Sequence, residues 1–151
     1  GQLQRNKVRR TIPLVEMIPS ADSAKLGAAV DRIAAELSCR VPILLEVNVS
    51  GEEAKHGFAP QQIAPFLEEL AGYEHVETRG LMCMAAFGGT ADDARRDFAR
   101  LRELRDRLRG NCPDGIMLDE LSRGMSGDYE AAIREGATIV RVGSALFEGV
   151  L

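Results

Sequence analysis

Short apolar runs alternate with longer stretches of helical periodicity from one end of the chain to the other. Residues 13–18, PLVEMI, read as a strand, and residues 22–38 then place Leu26, Val30, Ile33 and Leu37 on one helical face, with Asp22 or Ser23 set to cap it. The run VPILLEVNV at 41–49 is almost continuously apolar, as a strand covered on both faces must be. After the loop SGEEAKHGF, residues 60–70 bring Ile63, Phe66, Leu67 and Leu70 to one helical face. Pro65 falls inside that stretch, at a cost of about 3 kcal/mol in a helix interior, so the helix is either kinked or starts near Pro65. Residues 78–87 form a third strand, and 88–110 a long amphipathic helix with Thr90 as its cap, acids in its first turn and Gly110 as its stop. A fourth strand at 115–122, a short helix at 128–136 and a fifth strand at 138–143 complete the pattern, with one further helical turn in SALFEG at 144–149.

This β-α alternation predicts right-handed crossovers and a parallel sheet, with ligands at the carboxyl ends of the strands. No linker or low-complexity tract divides residues 1–151, which read as one α/β domain. The 45% apolar content supplies a core, and a net charge of −4 with pI near 5.3 gives no pull toward nucleic acid or an anionic membrane surface. The arginines between Arg95 and Arg109 cluster, but Asp97, Glu103 and Asp106 alternate with them as on a solvated helix face. No apolar run approaches a membrane span and no signal-peptide core begins the chain, so a cytoplasmic location is the expectation. Cys39, Cys83 and Cys112 are odd in number and lack C-x-x-C spacing, which argues against a disulfide framework or a zinc site. His56 and His75 give metal or triad chemistry little material.

Chemistry concentrates near the carboxyl end. Residues 122–127, SRGMSG, lie between a strand end and a helix start, where backbone N–H groups and the two hydroxyls favour an anion. Gly124 and Gly127 allow close approach or positive φ. Gly143-Ser144 forms a second such turn after the last strand, and two turns on neighbouring strand ends make a phosphate cradle of the kind found late in (β/α)₈ barrels. The plainer alternative is a pair of ordinary βα turns with Ser and Asp as helix caps. In TIVRVG, alternation sets Ile139, Arg141 and Gly143 on one face; a covered Arg141 needs a partner, either a ligand atom or a carboxylate such as Glu16, Glu46 or Glu120.

Residues 122–128, 130–133, Gly136 and 140–147 closely resemble the carboxyl-terminal signature of the pyridoxal-phosphate homeostasis proteins of YggS/PROSC type, and residues 1–7, 44–58 and 79–84 extend the likeness over the chain. The resemblance implies a TIM-type barrel similar to that of alanine racemase, here with about five of its eight strands. It implies pyridoxal 5′-phosphate as cofactor, with Ser122, Gly124, Met125, Ser126, Gly143 and Ser144 at the 5′-phosphate. Arg141 would face the pyridine nitrogen and keep it unprotonated, which suits a carrier better than a catalyst. Met82 and Met84 would line the pocket near the ring or else pack in the barrel core. In the family a Schiff-base lysine lies on a strand ahead of the segment resembling residues 1–7, and that strand is not in this sequence. Of the three lysines, Lys25 is on a helix, Lys7 in an early turn, and Lys55 in the loop after the second strand. Only Lys55 could substitute, without the desolvation that readies such a lysine.

The resemblance therefore implies a non-catalytic, non-covalent cofactor binder that touches neither nucleic acid nor membrane, with open sheet edges suited to a homodimer or strand exchange. Two enzyme readings compete. A racemase of the alanine racemase type needs an acid/base opposite the lysine, for which Tyr73 and Tyr129 are the only tyrosines. A sugar-phosphate barrel enzyme needs carboxylates at strand ends, for which Glu46, Asp119 and Glu120 are the material.

Overall fold

The computed structural model describes residues 2–52, 56–86 and 88–150. After a 3-10 turn at Arg5–Lys7 and a short helix α1 (Val8–Thr11), five strands alternate with four helices: β1 (Ile18–Ala21), α2 (Ala24–Glu36), β2 (Val41–Glu46), α3 (Pro60–Leu70), β3 (Val76–Met82), α4 (Ala91–Arg109), β4 (Glu120–Met125), α5 (Tyr129–Arg134) and β5 (Ile139–Arg141). The strands pair in parallel in the order β1-β2-β3-β4-β5, each with its neighbour in sequence. That order, with a helix after each of the first four strands, curls the sheet into half of a TIM-type barrel.

Helix starts follow the sequence. Ser23, rather than Asp22, caps α2 by accepting from Leu26 N at 3.4 Å. Thr90 caps α4, its hydroxyl accepting from Asp93 N at 3.2 Å while Asp93 accepts from Thr90 N at 2.9 Å. α3 begins at Pro60 and runs through Pro65 to Leu70. The proline is tolerated because Pro65 and Gln61 both face solvent, so the Gln61 carbonyl that loses its helical donor is left to water.

Three strands sit elsewhere than the pattern predicted. The first is Ile18–Ala21, not 13–18: Pro13 lies inside a 3-10 turn (Ile12–Leu14), and Leu14 and Val15 are exposed. Pro19 is admissible there because β1 is an edge strand among the described residues. β3 starts at Val76, opposite Val41, and ends at Met82 instead of running to 87; Phe87 is outside the described residues. β4 is Glu120–Met125, not 115–122. Gly115 turns with φ +84°, and pairing with β3 begins at Gly80 opposite Glu120, where a Cβ on Gly80 would meet the Glu120 carbonyl oxygen at 1.9 Å.

The main core lies between sheet and helices. Ile43, Leu45, Leu81 and Leu121 project to that side and meet Leu26, Val30, Ile63, Phe98 and Leu101. Arg123 also points there, fully buried, donating to the carbonyls of Phe98 on α4 and Glu135 after α5. Along β2 and β4 the intervening residues Leu44, Glu46 and Ser122 therefore face the concave side.

Candidate functional site

The shift of β4 changes what the SRGMSG segment is. Ser122 to Met125 belong to the strand, and the turn proper is Ser126-Gly127. Gly124 has φ +87° and backs onto α5, where a Cβ would come within 2.6 Å of the Ala132 Cβ. Packing against α5 thus requires a glycine there, and Ser122 is fully buried, its Oγ accepting from Arg141.

The two turns do meet. Ser126 Oγ accepts from Gly143 N at 3.1 Å and from Ala145 N at 3.2 Å. Met125 N donates to Asp128 Oδ1 at 2.6 Å. Each of these amides thus aims at an oxygen already, and one of those oxygens carries negative charge. Ser144 opens the final 3-10 turn (Ser144–Leu146) beside them. Ala145 escaped the sequence reading, which took Gly143-Ser144 as the turn; in a 3-10 turn the amide one residue further on is also unpaired, and that was the available signal.

Arg141 lies on the concave side, half-buried. It donates from Nη1 to Ser122 Oγ at 2.7 Å and from Nη2 to the Cys83 carbonyl at 3.0 Å. Among the described residues no carboxylate forms an ion pair with it, so the internal Arg–Glu pair is not how this cation is held. Glu16 is exposed ahead of β1, and Glu120 accepts from Thr138 Oγ1 at the opening of β4, the end away from the turns. Burial lowers the Arg141 pKa, while the charges of Glu46 and Asp128 oppose that effect.

Met82 is buried at the end of β3, in register between Glu46 and Ser122 and outside the helix-side core; Met84 is 40% exposed. Glu46, 4% exposed, ends β2 at this same mouth, its pKa raised by burial and by Asp22. Gln2 links the neighbouring groups, donating to Asp22 Oδ2 at 2.7 Å and lying 3.2 Å from His56 Nδ1. A cavity of about 660 Å³ is next to this cluster, between residues 2–6 and 22–26.

The enzyme-type candidates fall elsewhere. Tyr73 donates to Glu69 at 2.6 Å at the end of α3, and that bond together with burial pushes its phenol up to about 12. Tyr129 starts α5 behind Gly124. Asp119 pairs with Arg109 at 2.6 Å, exposed. Lys7 and Lys25 are solvent-exposed, and Lys55 is outside the described residues.

A half-barrel of parallel strands with two turns converging at the ends of β4 and β5 defines the alanine racemase N-terminal domain class, and the family of that description matches residues 3–149. The chain belongs to that family, and within it to the group that contains PipY of Synechococcus elongatus PCC7942. PipY without PLP is 38% identical with TM-score 0.91, over 97% of this chain and 68% of PipY; PipY with PLP bound gives 37% and 0.88 over the same shares. The pyridoxal phosphate homeostasis protein of Aquifex aeolicus strain VF5 is 40% identical over 147 residues, 97% of this chain and 64% of that protein. The chain thus spans less than two thirds of that relative's length. Alanine racemase of Clostridium difficile 630 in complex with cycloserine, 18% identical with TM-score 0.74 over 97% of this chain and 40% of the racemase, shares the fold.

Proposed function

We propose that this chain is a pyridoxal 5′-phosphate-binding module of a homeostasis protein, retaining and releasing the cofactor rather than catalysing a reaction with it. The reading rests on one observation above all: Ser126 Oγ draws the amides of Gly143 and Ala145 onto a single point and so joins the turn after β4 to the turn after β5. Donors gathered around one point, with a half-buried guanidinium nearby that has no carboxylate partner among the described residues, suit a phosphorylated ligand. PipY with PLP bound and the homeostasis protein of Aquifex aeolicus are relatives of the same kind.

In this reading Met125, Ser126, Gly143 and Ser144 hold the 5′-phosphate, with Ala145 added. Gly124 shapes the turn by its positive φ, and Ser122 fixes Arg141, which faces the ring nitrogen. Met82 forms the floor under the ring. The cofactor supplies an electrophilic aldehyde on a ring that a neighbouring arginine keeps unprotonated; the chain's own residues bind, orient and shield it. Residues 1–151 act as one domain, in the cytoplasm, without nucleic-acid or membrane partners. Among the described residues no strand lies beyond β5, and that edge suits a second copy.

The test is a titration of the chain with pyridoxal 5′-phosphate, followed by visible absorbance, with inorganic phosphate as competitor. Saturable, phosphate-competed binding is expected, weakened about tenfold or more by Ser126→Ala and by Arg141→Ala. Borohydride reduction should leave no labelled lysine among Lys7, Lys25 and Lys55. A labelled Lys55 would overturn the non-covalent part, amino-acid racemisation the non-catalytic part, and absence of binding the whole.

A further inference from the structure

Glu46 is a carboxylate with 4% of its surface exposed, yet no hydrogen bond or ion pair reaches its side chain among the described residues. Its carboxylate oxygens are not among the fully enclosed unpartnered atoms, so they reach the concave opening, where burial of the residue still disfavours the anion. Arg141 acts on Glu46 only through its charge: no ion pair joins the two, and the guanidinium donates instead to Ser122 Oγ and the Cys83 carbonyl. Among the described residues, the other charged or titratable groups that act on Glu46 are Asp22, which repels its anionic form, and His56, which favours it. Asp22 and His56 are in turn tied to Gln2.

Position gives this unmet acid a meaning. Glu46, Met82 and Ser122 stand in register across the ends of β2, β3 and β4, and Arg141 lies over the last of them. The mouth is therefore polarised: hydrogen-bond donors converge at the β4–β5 end, and a carboxylate without a partner among the described residues stands at the β2 end with Met82 between. On a pyridine ring whose nitrogen faces Arg141, the substituent para to that nitrogen points away from the β4–β5 end, toward the carboxylate.

We propose that Glu46 forms an amine subsite, so that the chain holds phosphorylated pyridine ligands bearing a primary ammonium group in preference to the same skeleton bearing a hydroxyl. This inference rests on the cofactor-binding reading above. An ammonium supplies the missing charge and up to three donors, whereas a hydroxyl supplies one donor and no charge. Glu46 is in this sense a selectivity residue with no covalent role.

Calorimetry with pyridoxamine 5′-phosphate and pyridoxine 5′-phosphate, which differ at that one substituent, is the test. The wild-type chain is expected to bind the amine about tenfold tighter or more, and Glu46→Gln to bring the two within about twofold by weakening the amine alone. Equal wild-type affinities, or a preference that survives Glu46→Gln, would overturn the subsite while leaving the cofactor reading intact. Binding of neither compound would overturn both. Should Glu46→Gln not fold, the ¹³C carboxyl resonance of Glu46 in the wild-type chain decides: its titration moves to lower pH with the amine bound and not with the alcohol, and equal titrations overturn the proposal.

Discussion

At the scale of single residues, two arginines two strands' ends apart in sequence have opposite fates. Arg141 was legible: an arginine inside TIVRVG has to be explained, and alternation put it on the face opposite Val140. Arg123 was not. It looked like part of an anion-facing turn, because the fourth strand was placed five residues too early at its start and Arg123 then fell beyond it. In the strand it points to the helices, where burial lowers its pKa to about 10 and its Nε has no partner. The guanidinium joins the carbonyl of Phe98 in α4 to that of Glu135 after α5. Arg123→Ala strands both carbonyls in a buried site, and we expect a loss of about 2–4 kcal/mol in urea unfolding. A loss under about 0.5 kcal/mol would mean that water replaces the side chain at no cost.

Elements were read well where periodicity is long and poorly where strands are short. α2, α3 and α4 appear at the predicted places because each sustains an apolar stripe over several turns. β1 and β4 slipped because PLVEMI and GIMLDELS are as strand-like as IPSA and ELSRGM, and tertiary pairing decided between them, at Ile43 for β1 and at Gly80 for β4. The arginines of α4 are largely solvated, but Asp97, expected among them on that face, is 4% exposed, where it accepts from Ala86 N and pairs with Arg100 at 3.3 Å. Two of its arginines do more: Arg95 at 2.8 Å and Arg102 at 2.6 Å both grip Glu135, whose side chain is 7% exposed, and so tie α4 to the end of α5. The Arg95 hydrogen bond, aided by the charge of Arg102, holds the Glu135 carboxyl below its usual 4.5. A depressed acid contributes stability that is present above the unfolded value and is lost as pH falls through the folded one. The α4–α5 clamp should therefore weaken below about pH 4.5. Thermal unfolding of Glu135→Gln should show a lower midpoint than wild type at pH 7 and a gap that narrows toward pH 3; a gap constant with pH would show that the charge plays no part.

For the molecule as a whole, the order β1-β2-β3-β4-β5 leaves one side of β1 and one side of β5 without a strand among the described residues. No helix of the described residues is long and apolar enough to cross a membrane. The two edges are unequal. Ile18, Ser20 and Ala21 of β1 are buried, whereas all three residues of β5 are half-buried, and Leu146 and Phe147 just beyond it are 67% and 60% exposed. The cradle hangs on this looser edge, since Gly143 and Ala145 follow β5 directly. Native-state hydrogen exchange should accordingly find β2 and β3, paired on both sides, protected about a hundredfold more than β5. Pyridoxal phosphate should then slow exchange at residues 143–145 and through β5, because a ligand that binds only the assembled turn removes the open state from the population. Concentrating the chain separates the remaining cause of protection: if a second copy pairs along β5, its amides slow with protein concentration in the absence of ligand, and if they do not, the edge is closed by the ligand and the turn alone.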